Sequence, residues 1–266
     1  MDLLQALILG LVEGITEYLP VSSTGHLLIA QRLLGISEGA AANGYAIAIQ
    51  AGAILAVLGL YRARVAGMVQ GVFGRDAAGL KLALCIVVAF LPAAVFGVLF
   101  NSRIEEYLFG VKPVIAAWVV GGVVILALSG WIRSHREGRD LAHLGWQSAL
   151  LIGLVQCLAM WPGTSRSLVT ILAGLAVGLS MAAAVEFAFL LGVLTLTAAT
   201  AYAGLKEGSG MVAAYGWTAL IVGFVAAWVS AALAVKWMVA WLNRHGLAFF
   251  AWWRFLAAGL AAWLLL

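Results

Sequence analysis

Eight apolar stretches fill this chain, and two of them are broken near the middle by a polar island. The first island is Glu13-Gly-Ile-Thr-Glu-Tyr-Leu-Pro-Val-Ser-Ser-Thr-Gly-His26; the second is Pro162-Gly-Thr-Ser-Arg-Ser167. A helix needs about 20 mostly apolar residues to cross roughly 30 Å of hydrocarbon. Six unbroken stretches meet that length, at about 44–62, 79–100, 113–132, 181–204, 213–242 and 247–266. The broken pair covers about 3–35 and 146–179. Proline removes a backbone donor, and Gly and Ser favour turns, so neither stretch can run through its island as one helix. Irregular backbone at membrane depth survives only inside protein or against a wet cavity. Each broken stretch therefore reads as a re-entrant hairpin of half-helix, turn and half-helix. The expected fold is an all-α polytopic membrane protein with six transmembrane helices plus two re-entrant helical hairpins, forming one membrane domain over 1–266.

Composition agrees. Hydrophobic residues make up 65% of the chain and charged ones 10%, against about 45–50% and 25% in soluble domains. The net charge of +4 is small and its cations cluster in loops, which points to topology and excludes nucleic-acid binding. Met1-Asp2 leads into apolar sequence without a basic segment, so no cleavable signal is expected. Cys85 and Cys157 lie in apolar runs without metal-ligand spacing, and read as two buried thiols.

The halves of the chain resemble each other. Leu7-Ile-Leu-Gly-Leu-Val-Glu13 matches Leu150-Leu-Ile-Gly-Leu-Val-Gln156 at an offset of 143 residues, and Leu34-Gly-Ile-Ser37 matches Val177-Gly-Leu-Ser180 at the same offset. The expected repeats cover about 1–132 and 146–266, joined by a loop at about 133–145. One hairpin plus three spans per repeat inverts the second copy. Loop charge gives the same topology. Loop 61–82 carries Arg62, Arg64, Arg75 and Lys81 against Asp76; loop 133–145 carries Arg133, Arg136 and Arg139 against Glu137 and Asp140; Lys236 and Arg244 flank the fifth span's end. Loop 101–112 balances Arg103 and Lys112 with Glu105 and Glu106, and loop 205–216 balances Lys206 with Glu207. The positive-inside rule puts the first three inside and the last two outside. The two islands then meet near the midplane, an arrangement inverted-repeat membrane proteins use for their sites.

Charged groups at that depth are costly and mark function. Glu13 and Glu17 are four apart and share a helix face. Two such carboxylates need a cation or a shared proton, and Mg²⁺ suits a pair of acids completed by water and phosphate oxygens. Ser22, Ser23 and Thr24 bring hydroxyls to the turn, and Gly25 allows close backbone approach. His26 is placed to open the next half-helix, whose N-terminus attracts anions; it can serve as acid, base or phosphate acceptor. Arg166 offers a fork that matches phosphate oxygens, with Ser165, Ser167 and Thr170 as further donors. A structural role for Arg166, neutralising Glu13 or Glu17, is compatible with that task. The set suits phosphoryl transfer, in which positioning and charge neutralisation supply most of the catalysis.

These motifs closely resemble the undecaprenyl-diphosphate phosphatases of the bacitracin-resistance family. The likeness runs nearly end to end and includes Gln50, Glu186-Phe and Arg254-Phe. It implies hydrolysis of the C55 lipid diphosphate to its monophosphate and phosphate, recycling the lipid carrier for cell-wall synthesis, with Mg²⁺ or Ca²⁺ required. The expected setting is the bacterial inner membrane, with the site facing the periplasm. The resemblance assigns Glu13 and Glu17 to metal and diphosphate, Ser23 to nucleophilic attack with help from His26 or Glu17, and Arg166 to phosphate. It leaves His26 open as a rival acceptor or acid. Leu168 and Val169 stand where many members have Gly-Ala, and their bulk is expected to tighten the pocket or alter lipid-head placement without removing a reacting group. A second lipid-phosphatase family shares Ser-Gly-His and Ser-Arg but needs a later His-x-x-x-Asp, which is missing after Ser167.

The alternative is a polyprenyl-phosphate flippase or anion transporter, since midplane anion sites also serve carriers. Expected partners are a polyprenyl diphosphate and membrane lipids; a homodimer is compatible with the sequence. Trp131, Trp146 and Trp217 near span ends fit interfacial belts.

Overall fold

The two polar islands break their helices where proline and the serine-rich turns require. In the computed structural model, α1 (Leu3–Thr16) stops at Glu17, and α2 (Ser23–Leu33) starts beyond Pro20. The structure describes residues 1–37, 39–135 and 137–266, without the side chains of 40, 101, 102, 105, 206–209 and 243. The loop charges assigned to Glu105, Arg136, Lys206 and Glu207 lie outside that description. Among the described residues there are helices, turns and one isolated bridge, between Arg139 and Leu179.

After the first hairpin come α3 (Ala40–Leu60), α4 (Arg62–Val72), α5 (Ala77–Leu108), α6 (Val111–Ala127) and the short α7 (Ser129–Ser134). The second hairpin is α8 (Trp146–Gln156), a 3₁₀ turn over Cys157–Met160, then α9 (Arg166–Ala176). A long helical run, α10 (Met181–His245), and α11 (Ala248–Leu265) complete the chain. Among the described residues five stretches are long and apolar enough to cross a membrane: Ala41–Leu60, Ala77–Phe100, Met181–Leu205, Gly210–Leu242 and Ala248–Leu265. The sixth expected span, 113–132, is shorter than its composition suggested. α6 has 17 residues and ends at Leu128, where the backbone leaves helical geometry before α7. The expected loop over 205–216 is mostly helical, because nothing before Gly216 forces a turn; there φ is 75° and ψ 161°, a conformation side-chain-bearing residues rarely adopt. α5 likewise carries helix through Leu108, into the stretch expected as a loop.

The hairpin arms have 14, 11, 11 and 11 residues for α1, α2, α8 and α9. At 1.5 Å per residue the longest reaches about 21 Å, short of the roughly 30 Å needed to cross. Each first arm packs on a helix from the other half of the chain: α1 on the second half of α10, α8 on α5. Glycine permits both approaches. A Cβ at Gly10 or Gly14 would overlap Gly223, Ala227 or Ser230, and one at Gly153 would overlap Ala89.

Local conformation recurs at the offset of 143 residues. Ser22 (φ 72°) and Ser165 (φ 77°) are the non-glycine residues with positive φ among those described. Gly35 (φ 67°) and Gly178 (φ 87°) close the second arms, with Ile36 N–H bonding Gln31 O at 2.9 Å and Leu179 N–H bonding Gly174 O at 3.0 Å. Cys85 is buried as expected; Cys157, at the end of its half-helix, is only half-buried.

Candidate active site

The turn between α1 and α2 and the turn before α9 meet, and they are bonded side chain to backbone. Ser167 Oγ donates to Leu19 O at 2.9 Å, and Ser165 Oγ lies 3.0 Å from Ser167 Oγ and 3.5 Å from Leu19 O. Both serines present positions inside a buried seam. Across it, Arg166 Nη2 reaches Glu17 Oε1 at 3.1 Å, and its Nη1 donates to Ala188 O at 3.1 Å. The guanidinium lies over the Tyr18 ring, 5.6 Å from its centroid. Gly192 leaves it room, since a Cβ there would overlap the guanidinium.

Glu17's other oxygen accepts a hydrogen bond from Ser23 Oγ. Both its oxygens are thus engaged, one by a cation and one by a hydroxyl. One helical turn earlier, Glu13 is fully buried, and neither of its oxygens has a hydrogen-bond partner among the described residues. A buried carboxylate without donors is costly, and a hard cation would relieve that cost. No three His, Cys, Asp or Glu side chains converge among the described residues. The protein's donor set is therefore two neighbouring carboxylates, which fits Mg²⁺ or Ca²⁺ completed by water and phosphate, with Glu13 the better placed because Glu17 is already in use.

α2 begins at Ser23, with Ser22 as its N-cap and no side chain bonded across that end. The early N–H groups of the helix follow Ser23, whose Oγ meets the same carboxylate as Arg166, and a helix N-terminus attracts anions. His26 sits a turn further in than expected, with its own N–H bonded to Ser22 O at 3.4 Å. Its ring is held from both sides. Nδ1 lies 2.7 Å from Ser22 O, and Trp253 Nε1–H donates to Nε2 at 3.0 Å. A carbonyl only accepts and an indole N–H only donates, so this arrangement selects the neutral tautomer with the proton on Nδ1. Trp118 packs on the same imidazole at 4.8 Å between centroids and anchors its own Nε1 on Val21 O at 3.0 Å.

Three expected anion donors are turned elsewhere. Ser165 Oγ accepts from Leu168 N–H, Ser167 Oγ serves Leu19, and Thr170 Oγ1 bonds back to Arg166 O at 2.7 Å and Ser167 O at 3.2 Å. Such hydroxyls near a helix start satisfy backbone; here the two serines hold the turns together through Leu19, while Thr170 bonds within α9. Leu168 and Val169 are buried, Leu168 in the same apolar cluster as Tyr18, Leu19 and Val21 of the first turn. Glu186 pairs with Arg64 at 2.6 Å and takes no part in the Glu17–Arg166 cluster.

Arg254 carries a role the sequence reading did not assign. It is fully buried on α11, and its Nε donates to Pro20 O at 2.9 Å in the first turn. Its Nη2 donates to Thr164 O at 2.6 Å and its Nη1 to Gly163 O at 3.3 Å in the second, with Ala117 O at 3.4 Å. One guanidinium thus ties both islands. Gly121 clears the space for it. The available signal was a lone arginine in the apolar run 247–266.

Two cavities flank α2. One, of about 380 Å³, is lined by Thr24, Asn43, Gln50 and Pro162 and extends to Phe109 and Tyr202. The other, of about 260 Å³, runs from His26 and Trp253 along apolar residues of α2 and α11.

The family model described as "Bacitracin resistance protein BacA" matches residues 6–260. The undecaprenyl-diphosphatase of Sorangium cellulosum is 43% identical over 263 residues, covering 97% of this chain and 85% of that protein. Undecaprenyl-diphosphatase 2 of Rhodospirillum rubrum is 44% identical, covering 95% and 91%. Undecaprenyl-diphosphatase 1 of Chromobacterium violaceum is 44% identical, covering 95% and 92%. With nearly its whole length matched, the chain belongs to the bacitracin resistance protein BacA family.

Proposed function

We propose that the protein hydrolyses undecaprenyl diphosphate to undecaprenyl phosphate and inorganic phosphate, with Ser23 as nucleophile. The observation that carries the assignment is the bond from Ser23 Oγ to a carboxylate that Arg166 holds in place. A weak nucleophile, an adjacent base and a third group that orients the base form the arrangement nucleophilic catalysis uses.

The terminal phosphate sits at the open N-terminus of α2, beside Arg166. Glu17 takes the Ser23 proton as Oγ attacks the terminal phosphorus. The bond to the bridging oxygen breaks, and undecaprenyl phosphate leaves with the proton that Glu17 passes on. Water then attacks the phosphoserine, giving its proton to Glu17. Phosphate departs and Ser23 regains its hydrogen. A divalent cation held by Glu13, with Glu17 at its edge, would neutralise diphosphate charge. Arg166 supports the developing equatorial charge as a fixed, dry donor. His26, with both nitrogens engaged, is the poorer acceptor in this state.

We read the fold as an inverted repeat with two re-entrant hairpins. The recurring serine and glycine conformations at one offset support that reading, as do the short hairpin arms. The multi-pass chain lies in the bacterial inner membrane with the site open to the periplasm. α10 starts beside the basic segment, where Glu186 meets Arg64. The cavity at Thr24 reaches Tyr202, 16 residues further along the helix and so about 24 Å away.

The test is phosphate release from undecaprenyl diphosphate by purified protein in detergent, with Ser23→Ala and Glu17→Gln beside it. Turnover that survives both substitutions overturns the assignment. Headgroup translocation in reconstituted vesicles with no phosphate released would mark a transporter instead.

A further inference from the structure

The cavity beside His26 differs from its neighbour across α2. Apart from the imidazole and the indoles of Trp118 and Trp253, its walls are aliphatic, among them Ile29 and Leu33 on α2 and Leu256, Ala257 and Leu260 on α11. It follows α11 from Trp253 to Leu264, about 16 Å of helix. Its polar end is the residue that packs into the first catalytic turn. Trp118's nitrogen is already given to Val21 O. The Trp253 nitrogen is given to His26 Nε2, with the two ring planes nearly parallel at 13°. Trp253 is 42% exposed and can swing outward, whereas Trp118 is buried.

We propose that this groove seats the head-proximal isoprene units of the lipid substrate, and that Trp253 is a positioning residue that couples their arrival to the site by releasing His26 Nε2. The proposal rests on the hydrolase reading above and adds to it the path of the chain. A polyprenyl chain fits because the groove starts at His26, three residues past Ser23 on the same helix, and is apolar beyond it. Chain atoms entering at His26 compete with the Trp253 ring for the same wall. Once that ring swings away, Nε2 has a free lone pair, able to accept a hydrogen bond from water or from a protonated phosphate oxygen. Without a chain, the imidazole stays capped. The enzyme thereby favours a diphosphate that carries a long lipid over one that does not.

The experiment compares phosphate release from isopentenyl diphosphate, a headgroup with one prenyl unit, and from undecaprenyl diphosphate, by full-length protein in detergent. Ala257→Phe fills the groove; it should raise KM for the long substrate at least about tenfold more than for the short one. Trp253→Phe keeps the ring and removes the N–H. It should shrink the ratio of long-chain to short-chain kcat at least about tenfold, because Nε2 is then free with either substrate. It should also bring an imidazole limb into the kcat–pH profile for the short substrate. If Trp253→Phe fails to fold, Ala257→Phe and Leu260→Trp carry the test through KM alone. Long-to-short ratios within twofold of the unsubstituted protein in every folded variant overturn the proposal. No phosphate from either substrate with the unsubstituted protein would instead overturn the hydrolase reading itself.

Discussion

Replacing Arg254 with alanine should disable the site from a distance. The side chain makes two short hydrogen bonds, to Pro20 O at 2.9 Å and Thr164 O at 2.6 Å, and two long ones, to Gly163 O and Ala117 O. Hydrogen bonds from a charged donor contribute about 1.5–3 kcal/mol each. Counting only the short pair, removal costs about 3–6 kcal/mol and leaves buried carbonyls unsatisfied. Relief of a buried charge offsets part of that loss, so about 2–4 kcal/mol is the expected net destabilisation. For a chain of this size that lowers Tm by roughly 4–16 °C. The larger effect falls on the rate. Pro20 and Thr164 belong to the two turns that carry Glu17 and Arg166, and a shift of about 1 Å between such groups costs about a hundredfold. Arg254→Lys should behave like alanine, since a single ammonium cannot span both turns. Thermal unfolding in detergent and phosphate release, measured together, decide the matter. An alanine variant that melts within 1–2 °C of the parent protein and turns over within about threefold of it would refute this reasoning.

Ser23→Ala should lower kcat by about a thousandfold or more, and adding Glu17→Gln should lower it little further, because residues that act as a unit are not additive; independent losses would dissociate the pair. Arg166→Lys should cost about a hundredfold or more in kcat, by exchanging a fork for a point charge, with phosphate release as the measure. Glu13→Gln should raise the Mg²⁺ concentration for half-maximal activity, and chelation should silence the parent protein reversibly; an unchanged metal titration would remove Glu13 from the metal. Gly153→Val should destabilise by about 1–3 kcal/mol or more, by forcing α8 off Ala89, seen as a lower Tm.

What the sequence made legible was where helices cannot continue. Pro20, Pro162 and their serine-rich neighbours declare that locally, and a buried carboxylate or guanidinium is conspicuous because its cost is borne at its own position. The meeting of Glu17 with Arg166 followed from that. Partners set by packing were harder. Trp253 is one of eleven tryptophans, and nothing near it in sequence indicates that it meets an imidazole more than 200 residues earlier. Ser165, Ser167 and Thr170 were expected to face an anion because serine and threonine are common phosphate donors. The close seam between the turns gives their single protons to Leu19, Arg166 and Ser167 carbonyls instead. The helix across 205–215 escaped notice because a polar composition marks departure from the hydrocarbon, and a helix need not end at that boundary.

The order of synthesis follows from Arg254's place on α11. Every other group in the site precedes it in the chain, and until that helix emerges and inserts the two islands rest on the serine bonds to Leu19 and the Glu17–Arg166 pair. A nascent protein halted before α11 would hold its serine, carboxylates and Arg166 in the membrane without the guanidinium that spans Pro20 and Thr164. Catalytic competence is therefore expected to arrive only with α11, and chains that lack this helix should be inert toward the cell's lipid pool.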